Sequence, residues 1–214
     1  YNSLLSITTG GSNTVIGANA GDAITTTSNT VLIGLNAGSS INHTDANGTT
    51  IVGRDAGENI TSAIGSTLMG YNTGNVISTG DYNTAIGHES LDANTIGEGN
   101  TALGYQSLST NIDGDKNTGI GYRALFAHEP GTAGHGKNTA VGYEAGNDVS
   151  TGTSNTIIGA EAGNTGTNDL SSGTLNTLIG ADTAVSVNSA ENQTVIGRAA
   201  VGQKNNSVTL GNTA

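Results

Sequence analysis

The motif Asn-Thr-x-apolar-Gly, seen in Asn13-Thr14-Val15-Ile16-Gly17, returns along the whole chain. Its glycine falls at Gly17, Gly34, Gly53, Gly70, Gly87, Gly104, Gly121, Gly142, Gly159, Gly180, Gly197 and Gly211, which makes twelve copies. Successive spacings are 17, 19, 17, 17, 17, 17, 21, 17, 21, 17 and 14 residues. Self-similarity at so short a period marks an array whose units pack only on their neighbours. Residues 1–214 therefore read as one repeat domain with no linker.

With that glycine as position zero, the columns are strict. Position −1 is always a sizeable apolar residue: Ile16, Ile33, Val52, Met69, Ile86, Leu103, Ile120, Val141, Ile158, Ile179, Ile196 and Leu210. Position −3 is Thr in ten copies (Thr14, Thr50, Thr67, Thr84, Thr101, Thr118, Thr139, Thr156, Thr177 and Thr194), and position −4 is Asn in seven. Position +3 is only Ala, Ser or Thr. No charge stands at −4 to −1, whereas Arg54, Asp55, Glu89, Arg123, Glu144, Glu161 and Arg198 occupy +1 or +2. The first group reads as buried, with the −1 column as the core of the repeat, and the second as solvated.

A few residues rich in Thr, Val and Ile and closed by Gly form a short strand. A unit of 17 residues is too short for a strand, a helix and a crossover. The fold class is therefore all-β: a parallel β-roll, or β-solenoid, of about twelve coils, each with two short strands and two turns. At ~4.7 Å per stacked strand the rod would be roughly 55–60 Å long. Asn at −4 suits a ladder of stacked side-chain amides, and Gly at zero suits a positive φ or a close backbone approach. The longer spacings place extra residues in turns, at Ser39–Gly48, Phe126–Lys137 and Asn164–Leu175.

Two columns are coupled in volume. Copies with Val15, Leu32, Ile51, Leu68, Ile157 or Leu178 at −2 carry Gly21, Gly38, Gly57, Gly74, Gly163 or Ala184 at +4. Copies with Ala85, Ala102 or Gly119 at −2 carry Leu91, Leu108 or Leu125 instead. Close packing demands such compensation if −2 and +4 face one space. Ala140 with Gly146 and Val195 with Val201 depart from the rule. Since −1 and −2 point to opposite faces of a strand and both are apolar, one face must be covered from outside, most simply by another copy of the chain.

Composition removes several function classes. Six Lys and Arg against 17 Asp and Glu give a net charge of −11, with no basic footprint for nucleic acid. Zero Cys excludes thiol catalysis, disulfides and Cys-based zinc sites. No apolar run is long enough to cross a membrane as a helix. Apolar residues make only 34%, against roughly 45–50% in ordinary globular domains, so the core must be thin and regularly placed. The chain starts at Tyr1 without Met or a signal-type segment, as a fragment or processed product would.

Segments such as Asn100-Thr101-Ala102-Leu103-Gly104-Tyr105-Gln106-Ser107-Leu108 and Asn138-Thr139-Ala140-Val141-Gly142-Tyr143-Glu144-Ala145 resemble two related groups. One is the left-handed parallel β-roll in the heads of trimeric autotransporter adhesins; the other is the repeat region of bacteriophage tail fibres. Residues 206–214, which include Asn206-Ser207-Val208-Thr209-Leu210-Gly211-Asn212-Thr213, look like the transition to a neck or chaperone region in tail fibres. The resemblance covers essentially the whole chain. It implies a left-handed, parallel homotrimer, extracellular on a virion or cell surface, that mediates or displays attachment without catalysis, cofactor or metal. The period of 17 departs from the shorter adhesin-head repeat, which only the last spacing of 14 matches.

Position +1 holds Tyr71, His88, Tyr105, Tyr122 and Tyr143 in five consecutive copies. Pointing outward, these rings could bind a surface glycan or a protein receptor; alternatively they stack on one another and stabilise the rod. His128, Glu129 and His135 lie in an insertion and read as a loop rather than a metal set, and Asp and Glu drift between columns where calcium would need them fixed. No cleft-facing carboxylate pair or Ser/His/Asp arrangement stands out. The regular Thr column leaves an ice-binding monomeric solenoid as the alternative function.

Overall fold

The computed structural model describes residues 3–131 and 135–211. Twelve strands, from Thr14–Ile16 to Ser207–Leu210, lie side by side in chain order in one all-parallel sheet. About eleven turns of solenoid connect them. Pairing is in register throughout, Thr67 opposite Thr84 and Ile86 opposite Leu103. The insertions leave it intact: Thr118 pairs with Thr139 across the 21-residue copy, and Gln193 with Ser207 across the 14-residue one. The extra residues bulge into turns, one of them a single 3-10 turn at Thr44–Ala46.

Among the described residues each coil contains one strand of three or four residues, not the two expected. Left-handed residues interrupt the remaining backbone: in one coil Asn72 has φ 56°, Gly74 φ 55° and Tyr82 φ 56°. Between them the described backbone bends without pairing as a strand, yet coil-to-coil bonds continue, as in Tyr82 N–H to Ile64 O at 2.8 Å. The zero-position glycine meets both of its expected conditions. Gly87 has φ 139°, and a Cβ there would collide with the carbonyl oxygen of Gly104 on the next coil.

The interior is filled by −2, not by −1. Leu32, Ile51, Leu68, Ala85, Ala102, Ala140, Ile157, Leu178 and Val195 are fully buried. The −1 residues lie on the outer face of the sheet: Ile33, Val52, Ile86, Ile120 and Val141 are half-buried, and Ile16, Met69, Leu103, Ile158, Ile179, Ile196 and Leu210 are exposed. The expectation that this column forms the core is thus corrected. Alternation along a strand permits only one of two neighbours to point inward, and the turn after Gly curls the chain toward the −2 side.

Columns −2 and +4 do share one space. A Cβ on Gly57 would lie 2.9 Å from Ile51 Cδ1 and 3.0 Å from Leu68 Cδ1. The two departures are also explained. Gly146 is overhung by Ile157 and Leu125 from the adjacent coils, so compensation crosses coils there. Val201 is 41% exposed and lies outside the interior. A third column completes the core: Ile24, Ile41, Ile60 and Ile77 at +7 are buried beside the +4 glycines.

The amides at −4 form the expected ladder. Asn117 N–H donates to Asn100 Oδ1 at 2.9 Å, and Asn155 Nδ2 donates to Asn138 Oδ1 at 3.0 Å and to Gly173 O at 2.8 Å. The run Asn83, Asn100, Asn117, Asn138, Asn155 and Asn176 is buried and continuous, and it closes onto the Gln193 N–H.

Candidate functional site

Two outward surfaces carry chemistry. The first is the sheet's own outer face, where Thr at −3 and the apolar residue at −1 run as parallel columns. The Thr side chains from Thr50 to Thr194 are half-buried and Thr14 is exposed. With −2 turned inward, Thr stands beside a row of Ile, Val, Leu and Met on a face that no other described element covers.

The second surface is the +1 column, placed at the corner just after the glycine and followed by a left-handed residue at +2. Tyr71, Tyr105, Tyr122 and Tyr143 are between 38% and 49% exposed, and all five rings of the column are brought together. Tyr71, His88 and Tyr105 meet edge to face at centroid distances of 5.0 and 5.3 Å. Tyr105, Tyr122 and Tyr143 stack nearly parallel at 5.2 Å. Tyr122 therefore has both faces covered by its neighbours, and a ligand approaching from the side meets ring edges and hydroxyls. Sequence reasoning missed that Arg54 caps this stack, its guanidinium 5.4 Å from the Tyr71 centroid; the signal was its place in the same column.

The +2 column beside the rings is polar and self-paired. Asn36 Nδ2 donates to Asp55 Oδ1 at 2.9 Å, and Gln106 Nε2 to Glu89 Oε2 at 2.8 Å. Toward its end the column turns acidic. Glu144, more than any other group, raises the pKa of the Tyr143 hydroxyl above its ordinary value, and Glu161 adds to it.

The insertion residues do not assemble as a site. His128 is fully buried in the +7 column, its Nε2 3.4 Å from Asn138 Nδ2, whereas His135 is exposed. Burial lowers the His128 pKa to about 4, and burial likewise raises that of Glu129, whose carboxylate accepts the Ile112 and Gly131 N–H groups. Among the described residues no three His, Asp or Glu side chains form a metal cluster. A cleft of about 540 Å³ beside the last insertion is lined by Asp148, Asn168, Asp169, Ser171, Val187 and Asn188. Asp169 is occupied there as a cap for the Thr165 and Gly166 N–H groups. Among the described residues no helix is long and apolar enough to cross a membrane.

Compared with protein families, curated proteins and solved structures, the chain has no match.

Proposed function

We propose that this chain is a non-catalytic, structural segment of a trimeric surface fibre, of the kind found in phage tail fibres or adhesin heads, that holds attachment features away from a virion or cell surface. The observation that carries the reading is the in-register apolar column on the outer face of the sheet. A row that includes Ile16, Met69, Leu103, Ile158, Ile179, Ile196 and Leu210, exposed in the single chain, is a contiguous apolar patch of the sort that marks an interface. Copies packed in parallel would cover it coil by coil. The number three comes from the resemblance of the repeat to trimeric β-rolls. Continuous backbone ladders resist bending and proteolysis, and a net charge of −11 keeps such a rod soluble.

Light scattering after size exclusion tests this reading. Three chains of 21.1 kDa should give a particle of ~63 kDa under closed symmetry. A monomer would sink the fibre reading. It would favour the second one, an ice-binding solenoid, because Thr and apolar side chains share one regular outward face; thermal hysteresis would then be the assay.

A further inference from the structure

The aromatic column ends differently at its two ends. At one end Arg54 lies over Tyr71, its Nε 2.9 Å from the carboxylate of Asp55. Cation and acid come from positions +1 and +2 of a single copy. At the other end, the copy that follows Tyr143 carries Ala160 at +1 and Glu161 at +2. Glu161 stands to Ala160 as Asp55 stands to Arg54, on the same left-handed backbone, φ 53° against 56°. The acid half of the arrangement is kept and the cation is missing.

The ring is correspondingly open. Tyr143 stacks on Tyr122 through one face and is 49% exposed. Ala160 and then Ala181 put no ring or long side chain against its other face. The nearby cations are engaged elsewhere. Arg123 lies 4.0 Å from the Phe126 ring centroid, and Arg198 faces Asp182 at 3.7 Å. Among the described residues neither Glu144 nor Glu161 takes part in an ion pair. A ring face flanked by carboxylates attracts a cation through its quadrupole and through charge together.

We infer that the open face of Tyr143, with Glu144 and Glu161, is a docking site for a cationic side chain supplied by another molecule, an Arg guanidinium in preference to a Lys ammonium. The chain itself shows which group fits this kind of ring end, and a guanidinium is planar and weakly hydrated enough to lie on it.

The test is a titration of the full chain with acetyl-Gly-Arg-Gly-amide, followed by NMR of labelled Tyr rings, with the citrulline peptide as the uncharged counterpart. The arginine peptide should shift the Tyr143 signals saturably while leaving Tyr71 still, and the citrulline peptide should not. Tyr143→Leu, followed in both proteins through the neighbouring Tyr122 ring, should weaken binding roughly 2- to 30-fold, the range of one cation–π contact. Ala160→Arg should abolish binding by filling the site from within, as Arg54 does at the other end. An unchanged Tyr71 signal reports that each variant is folded. No saturable shift in the native chain, or equal affinity in Tyr143→Leu, overturns the proposal.

Discussion

The first four copies and the three that follow them enclose the same cross-section with different fillings. From Gly17 to Gly70 the interior is aliphatic: Leu32, Ile51 and Leu68 at −2 meet Ile24, Ile41, Ile60 and Ile77 at +7, and glycine at +4 makes room for both. From Gly87 to Gly121 the −2 position shrinks to Ala85, Ala102 and Gly119, and Leu91, Leu108 and Leu125 enter from +4. The +7 position turns polar in the same copies, with Asn94, Asn111 and His128, all buried. Asn111 Nδ2 donates to Asn94 Oδ1 at 3.1 Å and to Gly114 O at 2.9 Å. A solenoid can thus exchange hydrocarbon for hydrogen bonds coil by coil without changing strand register, provided that volume is conserved across all three columns.

The largest effect separating the two regions should come from Leu68→Ala. Leu68 is fully buried and its methyls fill the space left by Gly57 and Gly74, so no neighbour can collapse into the hole. A loss of roughly 3–5 kcal/mol is expected in denaturant unfolding. A loss below about 1 kcal/mol, the level of a volume-conserving swap, would mean that the aliphatic interior is not close-packed.

His128 sets the next largest difference, and it depends on pH. Its folded pKa is lowered to about 4 by burial, against ~6.5 in an unfolded chain. The unfolded state therefore takes up the proton first. This residue's contribution is complete above about pH 6.5 and is lost as pH falls toward 4, by about 3 kcal/mol in total. His128 also breaks the +7 ladder, since Asn111 Oδ1 and His128 Nδ1 on consecutive coils both lack a partner. His128→Asn should extend the ladder and flatten the stability profile between those pH values, whereas the half-buried carboxyls Glu129, Asp92 and Asp148, with raised pKa values, act with the opposite sign in both proteins. Parallel pH profiles for the two proteins would refute the assignment.

A smaller contrast lies in the −4 column. Asn117→Ala would leave the Asn138 N–H without its acceptor and Asn100 Oδ1 without its side-chain donor, at a cost of about 2 kcal/mol. In the aliphatic region Ser66→Ala removes a single 3.2 Å bond to the Asn83 N–H and should cost about 1 kcal/mol. Equal losses in thermal unfolding would show that the amide ladder adds nothing over a hydroxyl.

Much of this was legible in the repeat. The glycine column, the single parallel array, the amide ladder and the shared space of −2 and +4 follow from residue types at fixed offsets. The face that points inward did not follow, because uniformity misled. Position −1 is apolar in every copy since it lines an outer face of constant geometry, while −2 ranges from Gly119 to Leu68 because it trades volume with +4 and +7. In a packed interior the compensating column is the variable one. The left-handed turn after the glycine was not legible either, since residues such as Glu89, Gln106 and Leu108 are types that carry no turn signature in a sequence. For the aromatic column, its residues and spacing were visible; that the rings would turn their faces on one another, with Arg54 as a cap, depends on side-chain rotation that column identity does not encode.

Those left-handed leucines supply the finest distinction between the two regions. Leu91, Leu108 and Leu125 sit at φ 53–54°, where a side chain costs about 1–2 kcal/mol relative to glycine. They are tolerated because the small −2 residue leaves a space only a leucine from +4 can fill. Leu68, by contrast, lies in the extended strand Thr67–Met69. Truncating both to Ala and to Gly should therefore give opposite orders. At Leu68 the Gly variant should be the less stable by about 0.5–1 kcal/mol, through its extra unfolded-state entropy. At Leu108 the Gly variant should be the more stable by a similar amount, because relief of the left-handed backbone outweighs that entropy. The same order at both sites would mean that +4 carries no backbone strain, and that the leucines were placed there by volume alone.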